Sequence, residues 1–491
     1  MTNLPCQRRH VSLLCLTLVL GAWATIANSQ HGTDSRNVRL LSHNDLQARS
    51  AYQPTIKRQI VDGQERWIAY IGHHGGRAMN PLTGEVENNG TSIVDVTDPA
   101  NPVYLHHIPN LSAPSGAQMV RVCNGNELPG GEAGASYLLR TNGGRGGGDR
   151  GNISHQLFDV TDPSSPKLLH TLVENLNDTH KNWWECDTGI AYLVSGVPGW
   201  RVVRMTQIFD LSDPTDPKFI RNFGLVGQQP GATGETPVEL HGCISVAERN
   251  RVYCGQGTNA NGVMAILDRE ILLHGELKDP VNPTAEELSA PVISLLSLPY
   301  FMGAHTSYPI LGVEYSEFEN DEILGTRDYV MIVNESLEEE CLAEARQMMY
   351  IVDVTDEKHP WPTSNFNVSD SAGDFCTRGG RFGSHASHES FTPIFYKKLV
   401  FLSWFNAGMR VVDIVDPYNP REVGYYIPAT TENTDERCVN IDGQDRCKIA
   451  IQTNNLEIDD RGYIYLVDRA NTGLHLVELT GAAREIAHYP N

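Results

Sequence analysis

The 491-residue chain lacks the sequence motifs of several common enzyme classes. It has no G-x-S-x-G nucleophile elbow, no P-loop, and no G-x-G-x-x-G between a predicted strand and a helix. The glycine-rich run GGRGGGDRGN lies in a loop between two predicted strands, where no helix N-terminus would hold a phosphate. Serine-hydrolase, nucleotide-hydrolase and dinucleotide-dependent chemistry therefore have no basis in the sequence.

Basic residues are scarce and form no long run. Lys and Arg number 38 against 60 Asp and Glu, which gives a formal net charge of −22. A nucleic-acid partner requires a cationic surface, so we expect no nucleic-acid binding. The acidic surface is typical of a protein that stays soluble through its net charge.

Long apolar runs are also rare, and the prominent one is at the start of the chain. The basic stretch MTNLPCQRRH precedes VSLLCLTLVLGAWATIA, and the small residues Ala27-Asn28-Ser29 follow. This order predicts a secretory signal peptide over residues 1–29 and a mature chain that begins near Gln30. We expect a secreted or periplasmic protein in which residues 30–491 form a single domain, with no transmembrane segment after the signal.

The ten cysteines include no C-x-x-C pair, which argues against a zinc site or a redox motif. Eight of them follow the predicted signal peptide, and an oxidising compartment favours disulfides. Two pairs flank short turns and are predicted to be bridged, namely Cys243–Cys254 and Cys438–Cys447. The other four are assigned to the pairs Cys123–Cys186 and Cys341–Cys376.

One strand-and-turn pattern recurs along the whole chain. In it, a hydrophobic run ends in an acidic residue, and a proline follows seven residues after that residue. Five copies read SIVDVTDPANP, QLFDVTDPSSP, QIFDLSDPTDP, MYIVDVTDEKHP and RVVDIVDPYNP, with the acidic residues Asp95, Asp159, Asp210, Asp353 and Asp413. Weaker copies around Asp268 and Glu478 bring the number to seven. We interpret the recurring aspartates as caps of the turn and not as catalytic carboxylates.

The spacing of the copies, 51 to 85 residues, suits one four-stranded sheet each. The sequence therefore predicts an all-β fold, a seven-bladed β-propeller, because radial repetition of small sheets protects their edges. The predicted blades are 54–110, 115–175, 180–225, 239–299, 305–368, 381–427 and 448–480. A lone N-terminal strand at 38–44 is predicted to complete the last blade beside 474–480 and so to close the ring.

The first strand of each blade lines the central channel of a propeller. Aligned on their third residues, the seven predicted first strands place at one depth Gln53, Gln118, His180, His241, His305, His385 and Thr453. Neutral imidazole suits iron, copper, zinc and nickel. The predicted metal ligands are therefore His180, His241, His305 and His385. Four neutral nitrogens favour a redox metal, so iron or copper is expected before zinc.

The loops between second and third strands open on the same face as those histidines, and most are rich in Gly and Asn. We expect a small-molecule substrate to enter there. The predicted substrate-binding residues are Arg140, Asn142, Asn259, Asn406, Arg469 and Asn471. His73 and His74 are predicted to move protons at this mouth, and His388 to replace His385 or to lie beside it.

The copies SIVDVTDP, QLFDVTDP, YIVDVTDP and RVVDIVDP resemble the repeat of the LVIVD-repeat family, a group of secreted bacterial and archaeal proteins. The resemblance covers about residues 38–480, although the fourth blade has no close copy and the fifth is long. It implies a β-propeller and no particular activity. The histidine-lined centre is similar in kind to the propellers of methanethiol oxidases and carotenoid cleavage oxygenases, a likeness of fold and ligand type alone.

Two functions fit these observations. The favoured one is a secreted metalloenzyme whose channel histidines hold a transition metal, an oxidoreductase slightly before a hydrolase or lyase. The alternative is a non-catalytic surface or ligand-binding propeller, in which waters bridge the histidines of a polar channel. Metal analysis of the purified protein separates the two.

Overall fold

The computed structural model describes residues 32–111, 115–144, 153–314, 325–341, 343–441 and 443–487. Seven small sheets stand in a ring and form a seven-bladed β-propeller, which confirms the predicted fold class. The predicted signal peptide lies outside the described residues.

In the part of the chain that the structure describes, no helix is both long and apolar enough to cross a membrane.

Two N-terminal strands precede the first blade, β1 (Asp34–Arg36) and β2 (Val38–Asn44), and a 3₁₀ turn at Leu46–Ala48 follows them. The first blade and a hairpin inserted in it comprise β3 (Ala51–Val61), β4 (Gln64–His73), β5 (Arg77–Asn80), β6 (Glu85–Asn88), β7 (Thr91–Asp95) and β8 (Val103–Ile108). The sheet order is β3-β4-β7-β8, and β5 pairs only with β6.

The next two blades each comprise four strands. The second comprises β9 (Val120–Asn124), β10 (Ser136–Asn142), β11 (Ser154–Asp159) and β12 (Lys167–Val173). The third comprises β13 (Trp183–Trp184), β14 (Ile190–Ser195), β15 (Met205–Asp210) and β16 (Lys218–Phe223).

The fourth and fifth blades follow the same order. The fourth comprises β17 (Leu240–Val246), a 3₁₀ turn (Ala247–Arg249), β18 (Arg251–Gln256), β19 (Val263–Asp268), α1 (Arg269–His274), α2 (Ala285–Ser289) and β20 (Val292–Ser297). The fifth comprises β21 (Thr306–Glu314), β22 (Thr326–Val333), β23 (Met349–Asp353) and β24 (Trp361–Phe366).

The two N-terminal strands complete the sixth and seventh blades. A 3₁₀ turn (Asp370–Ala372) and α3 (Phe375–Arg378) precede the strands of the sixth blade, which are β25 (Leu399–Ser403), β26 (Met409–Asp413) and β27 (Arg421–Ile427). The hairpin of β28 (Glu436–Ile441) and β29 (Gln444–Ile449) follows. The seventh blade then comprises β30 (Thr453–Ile458), β31 (Ile464–Asp468) and β32 (Gly473–Leu479), and α4 (Gly481–Ala487) comes after it. β1 pairs with β27, and β2 pairs antiparallel with β32 from Val38↔Leu479 to Asn44↔Leu474. The predicted closure of the ring is confirmed.

One predicted strand is irregular. The stretch SHASHESF begins the sixth blade, but it forms only a single bridge, Ser387↔Leu402. Backbone bonds from His385 to Ser403 and from His388 to Phe401 still hold it beside β25. The innermost position of the sixth blade is therefore filled by chain without a regular ladder.

The repeated aspartates cap turns, as their sequence context predicts. Asp95 and Asp159 each accept a hydrogen bond at 2.9 Å from the backbone N–H two residues later, and Asp413 does so at 3.0 Å. The aspartate three residues further on accepts a hydrogen bond in the same way, as Asp98 does from the backbone N–H of Ala100 at 3.0 Å. Two successive side-chain turns thus reverse the chain after the third strand in the blades that carry a full copy of the repeat.

The hydrophobic core lies between neighbouring blades. Ile68 and Tyr70 of the first blade pack with Leu138 and Phe158 of the second, and these side chains are buried. The same arrangement across the closure joins the seventh blade to the first. Because each blade contributes to two such layers, the ring fixes the position of every inner strand around the channel.

All four predicted disulfides are present, namely Cys123–Cys186, Cys243–Cys254, Cys341–Cys376 and Cys438–Cys447. Cys243 and Cys254 are directly opposed on β17 and β18, and their Cα atoms are 4.0 Å apart. The bridge of the β28–β29 hairpin spans 3.9 Å between Cα atoms. Both distances fall just below the usual range of about 4.4–6.8 Å, and both pairs are directly opposed on adjacent antiparallel strands.

Candidate metal centre

The four predicted histidines meet in the channel, although they come from four different blades. The ring centroids of His180 and His241 are 4.7 Å apart, those of His241 and His305 are 3.5 Å apart, and those of His305 and His385 are 4.6 Å apart. All four side chains are buried. The structure therefore brings together the four histidines that the register of the predicted first strands selected, and their role as metal ligands stays a prediction.

Hydrogen bonds at Nδ1 fix the orientation of three of the rings. His385 donates from Nδ1 to the backbone carbonyl of Asn454 at 2.6 Å. His180 donates from Nδ1 to the Gln118 side-chain oxygen at 3.0 Å, and Nδ1 of His305 is bonded to the Thr306 hydroxyl at 2.9 Å. Such outer bonds are typical of metal-binding histidines, because they leave the Nε2 lone pair free for an ion.

A carboxylate completes the cluster. Glu335 Oε2 lies 3.8 Å from His305 Nε2, and Glu335 Oε1 lies 3.6 Å from His385 Nε2. These three residues are all buried and offer ligand atoms within 4.8 Å of one another. Nε2 of His305 has no hydrogen-bond partner among the described residues.

The spacing fits a metal ion after a small adjustment. Two ligand atoms at about 2.1 Å from one ion are about 3.0 Å apart in octahedral and about 3.4 Å apart in tetrahedral geometry. At 3.6 and 3.8 Å, the Glu335 oxygens therefore need to approach the two histidines by about 0.2–0.4 Å for tetrahedral geometry and by about 0.6–0.8 Å for octahedral geometry. His180 Nε2 and His241 Nε2 are 2.9 Å apart, already the separation of neighbouring ligands.

Burial decides the charge of the cluster. It lowers the pKa of each of the four imidazoles well below the usual value, and neighbouring cations such as Lys181 and Arg204 lower it further. Burial also raises the pKa of the Glu335 carboxyl, although the Arg381 guanidinium opposes this effect. The histidines are therefore neutral at neutral pH, the form that binds metals.

The structure corrects two of the predicted positions. A bulge between Ala51 and Pro54 turns Tyr52 towards the cluster, where its hydroxyl lies 3.2 Å from His180 Nε2. Gln53 instead bonds to Asn455 and to the backbone of Pro54.

The seventh blade shows the second shift. An irregularity between Thr453 and Leu456 presents the carbonyl of Asn454 to His385.

Glu335 was missed by sequence reasoning. It directly follows Asn334 at the end of β22, the loop position that His74 holds after β4 and that Arg469 holds after β31. The loop VNESLEEE lacks the Gly and Asn enrichment of the other six, which hid this equivalence. Position in the repeat, and not composition, would have identified it.

His74, Arg469 and Asn471 lie at the expected mouth. The His74 ring packs edge-on against Tyr52 at 5.1 Å, and its Nδ1 is 3.3 Å from the Ser50 hydroxyl. Burial and the Arg469 charge lower the pKa of His74 well below the usual value. Asn471 adopts a left-handed backbone conformation, φ 67°, and donates to Asp435 at 2.7 Å.

Two residues predicted at the mouth are instead packed inside the blades. His73 is buried within the first blade, where Nε2 is 2.7 Å from the Ser92 hydroxyl. Arg140 is buried between the first two blades and donates to the carbonyl of Ile108 at 2.9 Å and to Gln156 at 2.9 Å.

Three predicted amides are also engaged within the protein. Asn142 donates to Ser154 at 3.0 Å, Asn259 to Glu344 at 3.1 Å, and Asn406 to the Phe375 carbonyl at 2.8 Å. Their assigned role in binding substrate stays a prediction.

His388 does not join the cluster. Its Nδ1 accepts a hydrogen bond from the backbone N–H of Phe401 at 3.3 Å, and its ring packs against Tyr308 at 5.0 Å. Burial lowers the pKa of His388 to about 4. Because His388 comes three residues after His385, its side chain points into the core between the fifth and sixth blades.

A second buried polar group lies below the histidines. Lys181 and Arg121 both form ion pairs with Glu389, whose carboxylate has no exposed surface. Burial alone would raise the pKa of Glu389, but these two cations hold it below the usual value. Glu457 accepts from the backbone N–H groups of Glu389 and Ser390 at 3.2 and 3.0 Å. This network fills the channel on the side away from the mouth.

These features define a class, a seven-bladed propeller with a histidine–glutamate candidate metal centre in its channel. No protein-family model matches the chain, and no curated protein matches its sequence. The resemblance to the LVIVD-repeat family stays a prediction.

Proposed function

We propose that the chain is a metalloenzyme that binds one transition-metal ion between His305, His385 and Glu335, with His180 and His241 beside them. The observation that carries the proposal is the convergence of two Nε2 atoms and a carboxylate in a buried channel, 3.6 and 3.8 Å apart. Each of these two rings is also held in place through Nδ1.

The donor set favours iron. Two histidines and one carboxylate with open positions are the ligand set of non-haem iron(II) oxygenases, while additional imidazoles also suit copper. We therefore favour iron or copper over zinc, and an oxidoreductase over a hydrolase or lyase. When bound, such an ion would supply redox or Lewis-acid chemistry at the end of the channel.

Two polar side chains beside the cluster, Tyr52 and His74, stay uncharged at neutral pH. Burial and the nearby Glu335 raise the pKa of Tyr52, so its hydroxyl stays protonated and can donate towards the cluster. His74 stays neutral because burial lowers its pKa, so it can accept a hydrogen bond from a molecule in the mouth. The Tyr52 and His74 rings pack edge-on, with their centroids 5.1 Å apart.

A specific contact supports the non-catalytic alternative. Nε2 of His180 and Nε2 of His241 are 2.9 Å apart, so one ring can donate a hydrogen bond to the other. A propeller that uses its histidines in this way would serve as a binding module.

We also propose that the protein is secreted or periplasmic. Four disulfides support this location, because such bonds persist in oxidising compartments. N-terminal sequencing of exported material should give a chain that begins near Gln30; an intact residue 1 would refute the proposal.

The metal proposal is tested by elemental analysis of the purified protein and of single variants. We expect about one ion per chain in the wild type and a large loss in His305→Ala and His385→Ala. The matched controls are His43→Ala and His359→Ala, because both of these side chains are outside the cluster. A wild-type protein that folds and holds no metal after incubation with iron, copper or zinc would leave the binding module as the better account.

A further inference from the structure

Arg469 is exceptional among the arginines at the mouth. Within the described residues, its guanidinium forms no ion pair and no side-chain hydrogen bond, and it lies 5.9 Å from the centroid of the Phe405 ring. The others are paired: Arg381 with Glu335 at 3.4 Å, Arg437 with Asp435 at 3.6 Å, and Arg204 with Asp178 at 2.7 Å. Glu335 acts on this guanidinium from beyond ion-pair distance. In a chain of net charge −22, a half-buried guanidinium with no carboxylate in direct contact among the described residues indicates a site for an external anion.

This guanidinium lies next to the candidate metal centre. Phe405 is the common neighbour, because the His385 ring is 5.0 Å and the Arg381 guanidinium 5.5 Å from its centroid. Arg381 in turn contacts Glu335, which lies against His305 and His385. Burial and the Arg381 charge lower the pKa of Arg469 to about 10, so it remains a cation at neutral pH.

We infer that the substrate of the proposed enzyme is a small monocarboxylate. Its carboxylate pairs with Arg469, and the rest of the molecule extends past Phe405 towards His305, His385 and Glu335. That the bound molecule is a substrate rests on the proposed function, while the anion site itself depends only on Arg469 and its surroundings.

The number of free charges decides between classes of anion. One unpaired guanidinium presents one planar fork, which matches a carboxylate through two parallel hydrogen bonds. Arg381 and Arg437 also form ion pairs with Glu339, at 3.8 and 3.9 Å, so neither guanidinium is free to pair with a second negative charge on the ligand. A phosphate dianion would also be repelled by Glu335 and Glu339.

The test measures binding of propionate by calorimetry to the protein after incubation with iron, copper or zinc, with propionamide and inorganic phosphate as comparisons. We expect propionate to bind and the uncharged amide to bind at least about 10-fold more weakly. Arg469→Gln should weaken propionate binding about 10- to 100-fold, the effect of losing a charge-assisted pair, and Arg469→Lys should weaken it less. Arg249→Gln is the control, since this exposed arginine pairs with Asp328 at a turn away from the mouth.

The outcomes separate this inference from the proposed function. Equal propionate binding by the wild type and by folded Arg469→Gln would overturn the anion site. Phosphate binding tighter than that of propionate would overturn the monocarboxylate class. Arg469-dependent propionate binding by a wild type that takes up no metal would uphold the anion site and refute the metalloenzyme.

Discussion

The partner of each Nδ1 atom decides what the channel histidines can do. A carbonyl oxygen of Asn454 and an amide oxygen of Gln118 each accept a hydrogen bond from Nδ1–H, so His385 and His180 present lone pairs at Nε2. Asn454 lies in the inner strand of the seventh blade, and Gln118 lies just before the inner strand of the second. The ligand orientation is therefore a product of neighbouring blades, and rotation of one ring would break a buried hydrogen bond.

Glu335 is the residue whose role is most easily isolated. Glu335→Gln removes the negative charge beside His305 and His385 and should lower metal affinity about 10- to 100-fold, because one of three ligands loses its charge. Competition with a chelator measures this change. The matched control is Glu338→Gln on the same loop, where the side chain is exposed. Equal affinity in the wild type and Glu335→Gln would exclude the carboxylate from the site.

At the residue scale, the sequence predicted the histidines and not their partners. Register alone identified His305 and His385, because both follow the same rule of position in their blades. Tyr52 was not predicted, since a bulge shifts it by one place relative to Gln53. A bulge depends on how two strands pair, and nothing in the residues AYQPTIK marks it.

Glu457 gives a pH dependence that can be measured. Burial and the nearby Glu389 raise its pKa to about 7 from an ordinary value of 4.5. The folded state therefore binds this proton more tightly than the unfolded state. The stabilisation is fully present below pH 4.5 and is lost as the pH rises through about 7.

We expect this one group to reduce the free energy of unfolding by roughly 2–3 kcal/mol between pH 5 and 8. Denaturant unfolding at several pH values should show that Glu457→Gln has a flatter profile than the wild type. Glu85→Gln, at the exposed start of β6, should leave the profile unchanged. Parallel profiles for the wild type and Glu457→Gln would contradict the account of the buried network.

At the scale of elements, the side-chain turn after each third strand is the unit that repeats. In the second blade, Asp159 accepts from the N–H of Thr161 at 2.9 Å. Asp159→Ala should cost about 1–2 kcal/mol of stability, while Asp159→Asn should cost less because the amide oxygen can still accept the bond. The midpoints of urea unfolding compare the two. Equal losses for both variants would show that the turn does not depend on this acceptor.

The elements that followed the repeat were predictable, and those that departed from it were not. Turn chemistry and strand length come from local sequence, so blades with a full copy were placed correctly. In the fourth blade the equivalent residue, Asp268, caps α1 by accepting from Ile271 at 3.0 Å instead of forming a tight turn. The first segment of the sixth blade has alternating residues but no regular ladder, because pairing depends on the adjacent strand as well.

At the scale of the whole molecule, the ring is closed by pairing between the two ends of the described chain. β2 supplies the outer strand of the seventh blade, and Val38 is buried in the core shared by the sixth and seventh blades. A chain truncated to begin at residue 46 should lose at least about 5 °C in thermal midpoint, because β32 becomes an unprotected edge. A chain that begins at residue 33 retains β2 and is the control. Equal midpoints for the two would show that closure contributes little.

The central claim is that the channel holds one metal ion against His305, His385 and Glu335. Anomalous X-ray diffraction at the iron, copper and zinc absorption edges, on crystals of protein incubated with these metals, tests it most directly. We expect one anomalous peak about 2.0–2.2 Å from both Nε2 atoms and from a Glu335 oxygen. Crystals in which the three side chains are ordered as described and no anomalous peak appears in the channel would contradict the account.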